Sequence, residues 1–173
     1  MNLTGAVLIM GAFAALWWIV GVTASGHASV ALCGVPVLIT ALLIVAALRR
    51  RAVGQPLPPG EGGRRGRLIG ITSAAEGLLI LVAVNVLANI GKRDFTAPAV
   101  AIIVGLHFPP LARGLRARVY YATSALLIGV GTAGCFVEDA NRRLLAVCLS
   151  AACVLWLTCG GVLLWTGVER QPR

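Results

Sequence analysis

The run Leu-Ile-Gly-Ile-Thr-Ser-Ala-Ala-Glu-Gly-Leu-Leu-Ile-Leu-Val-Ala-Val-Asn-Val-Leu-Ala-Asn-Ile, residues 68–90, decides the fold, because Glu76 is its only ionisable side chain. A helix needs roughly 20 predominantly apolar residues to cross the hydrocarbon core of a bilayer, and this run supplies them without interruption. Outward from it, comparable apolar runs cover residues 3–22, 30–48, 97–112, 119–136 and 144–168. The sequence therefore predicts an all-α, single-domain integral membrane bundle of six transmembrane helices over residues 1–173. Composition agrees: 58% of the 173 residues are hydrophobic and 12% are charged, with a mean hydropathy of +0.90. A soluble domain carries about 25% charged residues. Six spans with short loops leave no length for a soluble catalytic domain.

The formal charge of +9 comes from fourteen arginines and one lysine that lie almost entirely between or after the apolar runs. With a cytoplasmic amino terminus, the inner segments hold eleven basic residues and the outer loops four, Lys92, Arg93, Arg142 and Arg143. That asymmetry obeys the positive-inside rule and predicts both termini in the cytoplasm. The longest break, residues 49–67, reads RRRAVGQPLPPGEGGRRGR and predicts an extended or disordered cytoplasmic linker. Its two basic clusters suit anionic lipid headgroups, at about 1 kcal/mol per basic residue near the surface. Nucleic acid is not expected as a partner, since no aromatic residue interleaves these arginines to stack on bases. The protein partner that the composition allows is a second copy in a homo-oligomer.

The first run lacks a positive segment before it and exceeds the length of a signal-peptide core, so it is expected to stay as a helix despite the small residues Ala24, Ser25 and Gly26. Trp17, Trp18, Tyr120, Tyr121 and Trp165 fall near span ends, as in an aromatic belt. Cys33, Cys135, Cys148, Cys153 and Cys159 form no C-x-x-C and no cluster with histidine, so no metal and no cofactor is expected. Cys148 and Cys159 share a helical face suited to buried packing, and Cys33 and Cys135 both stand toward the outer ends of their spans, where a disulfide is one option.

The chemically informative residues are the polar ones at depth. A charge at mid-bilayer costs at least about 2.5 kcal/mol on insertion scales, so Glu76 is expected to face the bundle interior or a watery cavity. Thr72, one turn away, is a candidate hydrogen-bond donor to it. Counting 1.5 Å per residue from the outer span ends leaves Glu76 and His107 about one turn apart, whereas Arg113 matches the depth of Glu76 better. Glu76 thus has two readings: a proton-relay pair with His107, or a helix-locking contact, made as an ion pair with Arg113 or as a hydrogen bond to backbone. Asn85 and Asn89 share a face roughly opposite Glu76, suited to interhelical hydrogen bonds or to a polar substrate contact. In the fourth span Thr96 is a plausible cap, with Pro98 in the first turn. Pro109 and Pro110 remove the N–H groups that would bond the carbonyls of Gly105 and Leu106, which predicts a short, broken helix there. In the fifth span Ala125, Gly129 and Ala133 form a small-xxx-small ladder expected to be a packing face.

The stretch Asn85–Tyr121, and especially residues 103–113, Ile-Val-Gly-Leu-His-Phe-Pro-Pro-Leu-Ala-Arg, with the pair Tyr120-Tyr121 after it, resembles a segment of small multi-pass bacterial inner-membrane proteins, G-L-H-F-x-P-L-A and then a basic residue. The resemblance covers about a fifth of the chain, implies a multi-pass bacterial inner-membrane protein, and carries no activity with it. It singles out His107, Pro110 and Arg113. Two functions are compatible with these residues. One is small-solute or proton-linked transport or ligand binding around Glu76 and the fourth helix, with Thr72, His107, Asn85, Asn89 and Arg113 as site residues. The other is a structural or regulatory role through helix–helix or lipid contacts. No G-x-S-x-G, no H-E-x-x-H and no paired carboxylates support an enzyme.

Overall fold

A computed structural model describes residues 3–24, 26, 29–51, 61–115 and 117–168. Among the described residues there are six α-helices and no strand: α1 Leu3–Ala24, α2 Val30–Arg51, α3 Glu61–Asn89, α4 Thr96–Leu115, α5 Val119–Gly134 and α6 Ala140–Val168. Four of them, over Gly5–Ala24, Gly66–Asn89, Arg93–Leu115 and Ala140–Leu164, are long and apolar enough to cross a membrane. Gly34–Arg49 and Val119–Gly134 are apolar but shorter.

The helices pack in the spatial order α2, α1, α6, α5, α4, α3, and α6 also touches α2 and α4. That makes α6 the axis: 61% of its most apolar stretch is buried, whereas none of that of α3 is. Small residues allow the close approach, with Cys148, Ala151, Ala152 and Cys159 of α6 fully enclosed. Leu8, Leu42, Leu78, Leu126 and Leu157 are instead exposed on the outside. An apolar exterior around a close-packed interior is what a hydrocarbon solvent permits and water penalises. The backbone of α3 approaches only α4 and the turn before it.

Local chemistry explains the ends. Asp139 caps α6, its Oδ1 accepting from Arg142 N at 2.7 Å, and Ser29 Oγ accepts from Leu32 N at 3.2 Å at the start of α2. Gly91, at φ +72°, closes α3 in a Schellman motif, with Lys92 N donating to Leu87 O at 2.8 Å and Gly91 N to Ala88 O at 3.2 Å. Arg143, expected as an outer-loop charge, is 6% exposed. Its guanidinium donates to Val137 O and Glu138 O and lies over the Phe95 ring at 4.1 Å, tying the α5–α6 connection to the start of α4.

Several expectations need correction. The fourth helix is not broken: α4 runs helically through Pro109 and Pro110 to Leu115. Two prolines near a helix end forfeit two donors, to Gly105 and Leu106, while the preceding turns stay intact, and a membrane bundle tolerates that where neighbours pack closely. The closest such neighbour is α5, since a Cβ on Gly105 would stand 3.0 Å from Ile128 N and 3.1 Å from Ser124 O. Thr96 is helical rather than a cap, because a 3-10 turn over Arg93–Phe95 leads into α4. The linker is shorter than residues 49–67. Helix α2 continues to Arg51 and α3 begins at Glu61, an acidic residue at the positive end of a helix dipole that follows Pro58, Pro59 and Gly60. Residues 52–60 lie outside the described residues. The ladder of Ala125, Gly129 and Ala133 is exposed, and α5 instead buries Ser124, Leu127, Gly131 and Gly134. Tyr120 is 4% exposed and packs on Phe108, so of the tyrosine pair Tyr121, at 43%, is the one that fits a belt, and the Trp165 side chain lies outside the described residues. Cys148 and Cys159 are buried as expected; Cys135 is a free thiol, and the Cys33 side chain lies outside the described residues.

Candidate functional site

The α3–α4 hairpin sets the site through its register. Its axis of reversal falls at Gly91 and Lys92, because the 3-10 turn already climbs back along α3 before α4 begins. Leu68 consequently faces Gly114, where a Cβ would collide with the leucine side chain. Counting eight residues up α3 and seven back along α4 from that contact brings Glu76 level with His107. Glu76 Oε2 lies 3.4 Å from His107 Nδ1, with side-chain exposures of 18% and 10% respectively. Of the two candidate partners for Glu76 the structure selects His107. Arg113 is exposed about two turns further along and makes no ion pair with Glu76 among the described residues. Counting from span ends misjudged this depth because it left the 3-10 turn out of the rise.

His107 Nδ1 also lies 3.3 Å from the carbonyl oxygen of Thr72. A carbonyl only accepts, so Nδ1 carries the hydrogen and shares it between Thr72 O and the Glu76 carboxyl group. Nε2 is left as the basic nitrogen of the neutral ring. Thr72 thus contributes its backbone rather than its hydroxyl, which donates to Leu68 O at 2.9 Å and Ile69 O at 3.1 Å. Threonine in a helix commonly bonds back to the preceding turn in this way, so its hydroxyl is not aimed at Glu76. Phe108 meets the His107 ring edge to face at 5.8 Å and stacks at a tilt on Tyr120 at 5.6 Å, holding the imidazole from behind.

Glu76 and His107 line a cleft of about 360 Å³ between α1, α3 and α4, bordered also by Tyr120 of α5 and Leu155 of α6. A second cavity of about 510 Å³ lies beside it and is bordered by Arg93, Asp94 and Asn141 among others. Phe13, Trp17, Ile80 and Val104 border both. The cleft exists because α1 and α3 flank it without their backbones touching. Sequence reasoning missed the α1 wall, Phe13 and Trp17, along with Ser73, Phe108 and Tyr120. The signal was present in helical period: Ile69, Ser73, Glu76, Gly77 and Ile80 form one face of α3, and Ala6, Ile9, Met10, Phe13 and Trp17 one face of α1. Only the pairing of those two faces was hidden. Asn85 and Asn89 are exposed and do not border the cleft, and Asn85 Nδ2 donates to Leu81 O at 2.7 Å. Gly105, Pro109 and Pro110 do not border it either; Gly105 serves the α4–α5 contact.

Comparison of the chain with protein-family models, curated proteins and solved structures gave no match. The chemistry of the cleft has to speak for its use.

Proposed function

We propose that the chain is a six-span bacterial inner-membrane protein with both termini in the cytoplasm, that it binds a small ligand in the α1–α3–α4 cleft, and that the Glu76–His107 pair exchanges a proton as it does so. One observation carries this reading: Glu76, the acid in the middle of α3, and the single histidine of the fourth helix meet on the wall of a cleft large enough for a ligand. A carboxyl group and a neutral imidazole in contact pass a proton between them with little movement, and the cleft gives that proton a route to a bound molecule. Six spans are supported by the two shorter apolar helices, the positive-inside charge asymmetry and the even pairing of helices. The resemblance of residues 103–113 to bacterial inner-membrane proteins supports the compartment. Arg49, Arg50 and Arg51 at the end of α2, with Arg64, Arg65 and Arg67 at the start of α3, suit anionic headgroups on the cytoplasmic side.

A hydrophobic carbodiimide, which captures protonated carboxyl groups from an apolar phase, tests the proton exchange. Glu76 is expected to be labelled in membranes, faster at acid than at alkaline pH, with the pH profile displaced in His107→Gln. Absence of labelling at every pH would mean a sealed, static pair. That result would favour the second reading, a structural or regulatory membrane protein acting through helix or lipid contacts, which the peripheral and outward-facing α3 supports.

A further inference from the structure

The lining of the cleft points to the charge and shape of what it holds. Among the described residues around the first compartment, the titratable groups are Glu76, His107 and Tyr120, and no lysine or arginine is present. The elements packed around Glu76 therefore bring one imidazole from α4 and one phenol from α5, and α1 and α6 bring no charge. An ionised Glu76 has no fixed cation to neutralise it, so an anionic ligand is repelled and a cationic one completes the site. A small hydrated metal ion would need several oxygen ligands to replace its water, and one carboxylate does not provide them. Aromatic rings do suit an organic cation: Phe13, Trp17, Phe108 and Tyr120 all border the compartment, and the negative face of an aromatic ring attracts a poorly hydrated positive charge. A second cavity, which shares Phe13, Trp17, Ile80 and Val104 with the first, is bordered mostly by apolar side chains together with the oppositely charged Arg93 and Asp94, and among the described residues α1 and α3 make no backbone contact across the cleft.

We propose that the ligand of this cleft is a lipophilic organic cation, such as a quaternary ammonium, phosphonium or protonated aryl amine, whose charge rests against the Glu76 carboxylate and whose apolar body lies between α1 and α4. This rests on the reading that the cleft binds a ligand and adds the class of that ligand. Cation and proton compete for the same carboxylate, and a protonated His107 repels the cation as well. Both effects have the same sign, so binding tightens as pH rises, and a cation that binds while Glu76 is protonated displaces that proton.

The test is equilibrium binding of radiolabelled tetraphenylphosphonium to the purified full chain in detergent, at acid and alkaline pH, with anionic tetraphenylborate as the control of equal shape. Saturable binding of the cation, tighter at alkaline pH, is expected. Glu76→Gln should weaken it by about tenfold or more and Glu76→Asp by less, while Phe13→Leu and Trp17→Leu each weaken it by about fivefold. His107→Gln should retain binding with a shallower pH dependence. Circular dichroism and a monodisperse elution profile establish that each variant is folded, and Phe13, half-exposed on the cleft wall and outside the buried core, gives a substitution that leaves the core intact. Equal binding of tetraphenylborate, or cation binding indifferent to Glu76→Gln, overturns the assignment. Carbodiimide labelling of Glu76 that tetraphenylphosphonium neither slows nor prevents overturns the cation while leaving the proton-exchanging cleft standing. Failure of both labelling and binding overturns both.

Discussion

Trp18 shows how one residue answers for another. Pro36 sits inside α2 and cannot donate to the carbonyl of Leu32, four residues earlier. The indole N–H of Trp18 on α1 donates to that same carbonyl at 2.9 Å, so a side chain replaces the missing backbone donor. An orphaned carbonyl in an apolar medium costs about 1 to 3 kcal/mol. Trp18→Phe should therefore lower thermal stability in detergent, and adding Pro36→Ala, which restores the backbone donor, should recover a measurable part of the loss. Strict additivity in that double-mutant cycle would show that the two residues are not coupled. Glu76 and His107 belong to the same class of fact. Each was identifiable alone as a polar group at depth, but their meeting depends on a Cβ-free Gly114 seating Leu68 and so fixing the register of α3 on α4. Sequence marked which residues carry a cost in lipid; it did not show how that cost is met.

At the level of helices, the informative contrast lies in α5 against α4. Small residues at four-residue spacing look like a packing seam, and Ala125, Gly129 and Ala133 have that spacing, yet a Cβ on Gly129 would meet nothing within 4 Å. The true contact passes through Gly105, where a Cβ would stand 2.8 Å from the Ile128 side chain, and through Gly131, where it would stand 2.6 Å from Pro98 O. Gly105→Leu should destabilise the fold by about 1 to 3 kcal/mol through overpacking. Gly129→Leu should leave the melting temperature nearly unchanged. Reversal of that order in detergent thermal melts would displace the α4–α5 interface assigned here. The prolines teach a related lesson. Pro109 and Pro110 are written as a break, but α4 is held along its preceding turns by α5 and by a cation-bearing turn at its start, so lost donors do not become a lost helix.

For the molecule as a whole, an odd or even number of crossings decides whether the chain ends share a side. Cys135 is exposed just beyond α5, Cys153 is exposed in the middle of α6, and Cys148 and Cys159 are buried. On the proposed six-span topology, a membrane-impermeant maleimide should label the thiol of a variant retaining only Cys135 from outside intact cells. Labelling confined to inverted membrane vesicles would place the α5–α6 connection in the cytoplasm and reverse the topology. What the sequence alone determined is the all-helical class with long apolar helices, because hydrophobic run length and the cost of burying charge in hydrocarbon are properties of composition along the chain; it predicted six spans, and among the described residues four helices are long and apolar enough to cross. It also determined that Glu76 and His107 are the groups needing an explanation. The tertiary structure decided that α6 is the axis, that α3 hangs on α4 alone, that Glu76 pairs with His107 rather than Arg113, and that α1 and α3 leave a cleft between them. Those outcomes depend on which glycines admit a neighbouring helix and on where a turn starts to climb, and such contacts join residues too far apart in sequence for any local pattern to encode.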